Sequence, residues 1–282
     1  MFRGPRDYCR LDLKQYGGHK DEVNSVAVSS DFQILVTGCD DERVRIFNAQ
    51  TGQLVCKLKG HTGAVKTVAI SSDSRYIASG SYDKTIRIWR TRNAEHLHLL
   101  QGSWDRTAIL WDVENGFLLK VFVGHKNLVQ SIAFSPGCKM LATGSWDFTV
   151  RVWTLESDDG KDDDVRVLEG HKGNIHAVAF SKDGMLASGS WDKSVRCWNP
   201  KTGNQIHLCD GHEGWVQALS FSSDGLYLAS ACDDDSVKVW DVVTGQCIKH
   251  LEGKTDIAQH CAFTPGGALL ACGAANTTLT LT

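Results

Sequence analysis

A ten-residue phrase recurs along this chain at nearly constant spacing, and that recurrence limits the fold more tightly than any other feature. Gly189–Trp198 (GSWDKSVRCW) has near copies at Gly80–Trp89 (GSYDKTIRIW), Gly102–Trp111 (GSWDRTAILW) and Gly144–Trp153 (GSWDFTVRVW). Weaker copies stand at Gly38–Phe47, Ala231–Trp240 and Gly273–Thr282. The residues in the Asp place, Asp41, Asp83, Asp105, Asp147, Asp192, Asp234 and Asn276, are separated by 42, 22, 42, 45, 42 and 42 residues.

A Gly-His pair stands 22 residues ahead of the Asp, or 21 in one case, at His19, His61, His125, His171 and His212; the last copy has Gly253-Lys254 instead. Between these marks, short β-rich runs such as Val65–Ile70 (VKTVAI) alternate apolar and polar residues, and turn clusters such as Ser71-Ser72-Asp73-Ser74 divide them. That pattern predicts consecutive antiparallel strands, four to a unit, with no helical periodicity. A period near 42 residues with this content favours propeller blades over helical solenoids. The expected fold is all-β.

Paired GH and WD-like marks at this spacing resemble the WD40-repeat family, and the resemblance covers essentially the whole chain. It implies one propeller domain over residues 1–282, with repeats at about 19–59, 61–100, 102–123, 125–169, 171–210, 212–252 and 254–282. The family's overlapping closure implies that residues 10–16 supply the outer strand of the last blade, so that no sheet edge is left open. The 22-residue interval marks the departure from the pattern: Gln101 runs straight into Gly102, so the third repeat lacks a Gly-His pair and its two inner strands.

Each full repeat gathers a His, a Ser or Thr, an Asp and an aromatic residue. The sets are His19, Thr37, Asp41 and Phe47; His61, Ser79, Asp83 and Trp89; His125, Thr143, Asp147 and Trp153; His171, Ser188, Asp192 and Trp198; and His212, Ser230, Asp234 and Trp240. Ser, His and Asp together invite a hydrolase reading, but hydrolysis needs one exposed nucleophile beside an oxyanion site. Five equivalent sets read instead as a structural hydrogen-bond chain, which is also what the resemblance implies. The acidic run Asp158–Asp164 lacks EF-hand spacing and reads as a solvated loop. No phosphate-binding loop or dinucleotide fingerprint occurs, so neither metal nor cofactor is expected.

A net charge of −3 offers no basic field for nucleic acid or an anionic membrane. The ten cysteines lack framework or CxxC spacing and read as free thiols. Met1–Arg10 has no apolar signal core, and no apolar run approaches the roughly 18 residues of a membrane span, so an intracellular, soluble protein is expected.

Function is then left to exposed positions that differ between repeats. The resemblance places three residues per repeat on the narrow top face. Those before the turn Asp are Asp40, Tyr82, Trp104, Trp146, Trp191, Asp233 and Ala275; those three after the His include Leu128, Asn174 and Trp215; those five after include Asn24, Lys66 and His176. Tyr82, Trp104, Trp146, Trp191 and Trp215, flanked by Asp40 and Asp233, would form an aromatic arc suited to a protein or peptide bearing Arg or Lys. The expected function is a non-enzymatic interaction scaffold, a monomeric propeller within larger complexes. The alternative is a ubiquitin-ligase substrate receptor, although Trp111-Asp112 and Trp240-Asp241 continue as Val-Glu and Val-Val rather than as a receptor-type WDxR.

Overall fold

The computed structural model describes residues 12–71, 73–101, 106–155, 164–252, 258–263, 269–273 and 278–281. The first four-stranded sheet comprises β2 (Val23–Val28), β3 (Ile34–Cys39), β4 (Val44–Asn48) and β5 (Leu54–Leu58). The second comprises β6 (Val65–Ile70), β7 (Tyr76–Ser81), β8 (Thr85–Arg90) and β9 (Glu95–Gln101). A two-stranded sheet, β10 (Thr107–Trp111) and β11 (Leu118–Val123), comes third. The fourth sheet is β12 (Val129–Phe134), β13 (Met140–Ser145), β14 (Val150–Thr154) and β15 (Val165–Leu168). The fifth is β16 (Ile175–Phe180), β17 (Leu186–Ser190), β18 (Val195–Trp198) and β19 (Gln205–Cys209). The sixth is β20 (Val216–Phe221), β21 (Tyr227–Cys232), β22 (Ser236–Asp241) and β23 (Cys247–Glu252). The last joins β24 (Ala258–Phe263), β25 (Leu269–Gly273) and β26 (Thr278–Leu281) to β1 (Asp12–Gln15), far apart in sequence.

Burial follows strand position. Second strands lie between neighbouring sheets and are covered on both faces, so β3, β13, β17 and β21 are buried along nearly their whole length. Their sequences are accordingly runs of apolar and small residues, ILVTGC and LASGS among them. Outer strands have one wet face, and β5 and β19 bury only their last residue fully.

Three pairs of neighbouring sheets interlock at a glycine near the end of the second strand. A Cβ on Gly38 would stand 2.9 Å from Val65 and 3.2 Å from Val68 of the second sheet. Gly144 likewise meets Ile175 and Val178, and Gly189 meets Val216 and Leu219, each pair in the sheet that follows. A side chain at these glycines would occupy the space that the next sheet's β-branched or leucine residues fill. Serine hydroxyls on the inner strands add hydrogen bonds between sheets: Val68 N–H donates to Ser25 Oγ and Val178 N–H to Ser131 Oγ, both at 3.1 Å.

The inner strands pack in the order β6, β2, β24, β20, β16, β12. Among the described residues no comparable packing joins β12 back to β6, and that interval is where the two-stranded sheet lies. β11 reaches the fourth sheet through Phe122, whose ring lies 5.3 Å from that of Trp153. On the other side the Glu114 carbonyl lies 3.2 Å from His98 Nε2 of β9.

At the opposite side of the molecule, β1 pairs antiparallel with β26 from Asp12↔Leu281 to Gln15↔Thr278. Tyr16 follows this strand into the core; it stacks edge-on to Phe47 at 5.4 Å and donates to the Ala49 carbonyl at 2.9 Å. Leu13→Pro removes an N–H from a ladder that covers the edge of the last sheet. It is expected to lower global stability by ~1–3 kcal/mol, read as a fall in Tm; an unchanged Tm would show that closure does not depend on β1.

Candidate functional site

The top-face residues are placed by the tight turn between second and third strands. In the fifth sheet, Ser190 N–H and Lys193 N–H each close the loop at 3.2 Å, on Ser194 O and Ser190 O, and Lys193 takes φ 72°. A three-residue hairpin loop ending in the left-handed region fits the twist of the strands. Glu42, Lys84, Phe148 and Asp235 repeat that positive φ in the equivalent place. The strain in a non-glycine residue is offset by the Asp before it: Asp192 Oδ1 accepts from Ser194 N–H at 3.0 Å and Ser194 O–H at 2.7 Å.

The residue ahead of the Asp therefore sits at the loop tip. Its N–H is tied to the carbonyl three places after the repeat's His: Tyr82 to Ala64, Trp146 to Leu128 and Trp191 to Asn174, all at 2.9 Å, and Asp233 to Trp215 at 3.1 Å. Asp40 makes the same bond to Glu22 at 2.9 Å.

Three of the predicted aromatic residues form one continuous stack across three sheets. Trp191 and Trp215 lie face to face at 4.4 Å and 13°, and Trp146 lies 5.5 Å from Trp191 at 47°. His176 stacks on Trp191 at 6.3 Å, its Nδ1 at 2.9 Å from the Gln217 carbonyl. Trp146 and Trp191 are half-buried, and their shielded indole N–H groups meet no acceptor within the protein. Trp215 is 45% exposed and caps the stack.

Tyr82 has Lys66 as a neighbour. Lys66 Nζ stands 4.9 Å over its ring and pairs with Asp40 Oδ1 at 2.8 Å and Asn24 Oδ1 at 2.9 Å. The chain thus places its own ammonium between Tyr82 and Asp40, two of the residues assigned to a partner's Arg or Lys. Asp233 accepts from the Trp215 N–H. Trp104 lies outside the described residues.

Beneath this face lie the His/Ser/Asp/aromatic sets. His61 Nδ1 stands 2.7 Å from Asp83 Oδ2, His61 Nε2 stands 2.8 Å from Ser79 Oγ, and Trp89 Nε1–H donates to Ser79 Oγ at 2.9 Å. The same links join His125, Asp147, Thr143 and Trp153 at 2.8, 2.7 and 2.9 Å. They recur through His171, Asp192, Ser188 and Trp198 at 2.9, 2.8 and 2.8 Å, and through His212, Asp234, Ser230 and Trp240 at 3.1, 2.7 and 2.8 Å.

A carboxylate only accepts, so Nδ1 carries a proton; the hydroxyl accepts from the indole and keeps its own proton to donate, with Nε2 within reach. Burial pushes His125 and His212 below the ordinary imidazole value, against the pull of Asp147 and Asp234. Burial works against ionising Asp147, yet the bonds from Thr149, Lys126 N–H and His125 hold its carboxyl at about 2. Ser79, Thr143, Ser188 and Ser230 are at most 1% exposed, so no substrate carbonyl reaches these hydroxyls.

The first sheet breaks the pattern in a way the sequence reading missed. His19 Nε2 keeps its contact with Thr37 at 2.8 Å, but Phe47 offers no indole N–H, and the buried Arg45 takes Asp41 with Nη1 at 2.9 Å and Nη2 at 2.5 Å. Burial and the adjacent Arg45 push His19 down to about 4. The available signal was Phe47, the one aromatic place filled by a residue without a donor.

The atoms of His212, Cys232 and Asp234 lie within 4.8 Å of one another. Both His212 nitrogens are engaged as above, and burial pushes the Cys232 thiol up to about 12, which makes it a poor metal ligand. The cysteines described, from Cys39 to Cys261, are free thiols.

Sheets packed in a ring by their inner strands, each pinned by a buried polar set under a tight turn, define a β-propeller. The WD domain, G-beta repeat family model matches residues 11–48, 52–90, 116–154, 163–199 and 203–241, and the chain belongs to this WD40 family. Five repeats register, not the seven copies marked by the ten-residue phrase. The third copy lacks the inner half of a repeat, and the seventh has Lys254 and Asn276 in the His and Asp places.

Among curated proteins, the chain is 40% identical over 77 residues to Probable cytosolic iron-sulfur protein assembly protein 1 of Eremothecium gossypii, covering 26% of this chain and 24% of that protein. It is 29% identical over 194 residues to Periodic tryptophan protein 2 of Arabidopsis thaliana, covering 61% and 21%. It is also 38% identical over 73 residues to human WD repeat and SOCS box-containing protein 1, covering 26% and 17%. The matches thus span about a quarter or less of these relatives' lengths.

Two expectations follow from the buried sets. Ser188→Ala leaves Trp198 Nε1 and His171 Nε2 buried without a partner, a loss of ~1–3 kcal/mol for each group measured by denaturant unfolding, whereas Ser188→Thr, the residue type at Thr143, retains most of it. Stability should also fall with acid. Imidazoles whose folded pKa is depressed contribute fully above their ordinary value of 6.5, and that contribution is lost as pH falls through their lowered values, about 4 for His19. Asp147 adds a second loss as pH falls from 3.8 toward about 2. A Tm that stays level from pH 7 to 4.5 would contradict the depressed histidine values.

Proposed function

We propose that the protein is a non-enzymatic interaction scaffold that binds a peptide or protein segment on its top face. The observation that carries this reading is the Trp146–Trp191–Trp215 stack, capped by a half-exposed indole. A broad aromatic surface next to the Asp233 carboxylate suits a partner side chain that is planar and cationic, with Arg fitting better than Lys because its guanidinium stacks. The seat at Tyr82 and Asp40 is already taken by Lys66, so the binding surface narrows to the Trp215 side, with Trp104 as a further candidate. We read the ring as seven repeats over residues 1–282, the third reduced to its outer half and the last completed by the N-terminal strand, acting as a monomer within a larger assembly in the cytosol. The name of one relative, Probable cytosolic iron-sulfur protein assembly protein 1, is consistent with that role.

The ubiquitin-ligase alternative draws on the relative named for a SOCS box, over 73 residues. Trp215→Ala, at an exposed ring, is expected to leave the fold intact by circular dichroism. Partners captured from cell extract should be lost by at least tenfold in recovery. An unchanged partner set would remove the top face from consideration, and a ligase adaptor retained by both proteins would favour the alternative.

A further inference from the structure

The first and fourth sheets receive the next sheet with the same two fittings, a socket over the second-strand glycine (Gly38 or Gly144) and a hydroxyl on the inner strand (Ser25 or Ser131); the fifth keeps the glycine socket at Gly189, and the sixth has Ala231 in its place and uses the Ser220 hydroxyl. The second sheet carries both but receives nothing through them. Gly80 corresponds to Gly38, Gly144 and Gly189, yet a Cβ there would meet only the Thr67 methyl of its own sheet. Thr67 corresponds to Ser25 and Ser131, which accept N–H groups from the next sheet, but Thr67 is exposed.

The facing side of the gap shows the complementary half. Ile132 of β12 occupies the place of Val68 and Val178, which are each 7% exposed inside their sockets; Ile132 is 54% exposed and Phe134 is 45% exposed. Between the two sides, β10 pairs with β11 on one edge, and among the described residues no strand pairs with its other edge.

We infer that this gap is a receptor for a two-stranded β-hairpin donated by another protein chain, which pairs its second strand with the edge of β10 that faces away from β11 and completes the third sheet in trans. The inter-sheet interface repeated around the ring specifies the donor. Its first strand carries β-branched residues three places apart to enter the Gly80 socket, as Val65 and Val68 enter that of Gly38. A Ser or Thr on that strand accepts the Ile132 N–H, as Ser131 accepts that of Val178. Its second strand ends in a glycine that leaves room for Ile132, as Gly144 does for Val178. Edge pairing supplies main-chain hydrogen bonds, and the sockets supply selectivity, which is the division found in strand-addition recognition generally. This inference does not depend on the top-face reading, because the gap and the tryptophan stack are different surfaces.

The test uses the full chain and a synthetic peptide that copies residues 65–81, the inner hairpin of the second sheet. Saturable one-to-one binding by titration calorimetry is expected, with a Tm that rises with peptide concentration and slowed amide exchange in β10. A peptide copy carrying Val68→Asp, and separately the full chain carrying Ile132→Asp at an already exposed position, should each weaken binding at least tenfold. The proposal is overturned if no saturable binding occurs, if the Val68→Asp copy binds equally well, or if β10 amides stay unprotected at saturation. It is also overturned if the chain alone is a dimer by light scattering with β10 already protected, since the gap would then be filled by a second copy.

Discussion

The contact on which the rest of the ring depends is the entry of an inner-strand side chain into the space above a glycine in the sheet before it. Sheets in a ring cannot slide freely, because each socket admits one branched side chain at one register. Val65 and Val68 over Gly38, Ile175 and Val178 over Gly144, and Val216 and Leu219 over Gly189 are three instances of that contact. The serine hydroxyls that accept N–H groups across the same seam lock it with a directional bond. A glycine in mid-strand, ordinarily a weakness, is here the condition for close packing.

The buried polar sets work at right angles to that contact, holding strands within a sheet rather than sheets to one another. They are built from groups that usually signal chemistry, yet their order of donors and acceptors leaves the hydroxyl sealed. Repetition converts a reactive-looking constellation into framework. In the first sheet, Arg45 replaces the histidine at Asp41, and the aromatic place drops its donor at the same time. The two changes belong together: with Asp41 held by a guanidinium, His19 needs only Thr37, and Thr37 has no indole to serve.

Much of this was legible in the sequence because repetition averages out the noise of single positions. The 42-residue period, the turn Asp and the Gly-His pair located the strands and the polar sets residue by residue. The half-length interval at Gln101–Gly102 marked the place where only two strands are found. What could not be read were contacts between repeats. Lys66 belongs to the second sheet and Asp40 to the first, so a reading made one repeat at a time treats each as available to a partner. Trp191 and Trp215 lie in successive sheets, and the face-to-face closure of their rings is a contact that no single repeat shows. Counting by family model gives five repeats, because a profile scores whole units and the chain contains a half unit and one with altered marks.

The way the two-stranded sheet is attached has a mechanical consequence. A closed ring restrains every sheet from two sides, and separating any pair requires opening all of it. Here, among the described residues, the joint at the third sheet lacks an inner strand and runs through His98 and Glu114 on one side and through Ala108, Phe122, Leu141 and Trp153 on the other. The interval between β6 and β12, which no inner strand bridges among the described residues, is therefore where the ring is expected to yield first, with the strand hydrogen bonds of the other sheets left intact.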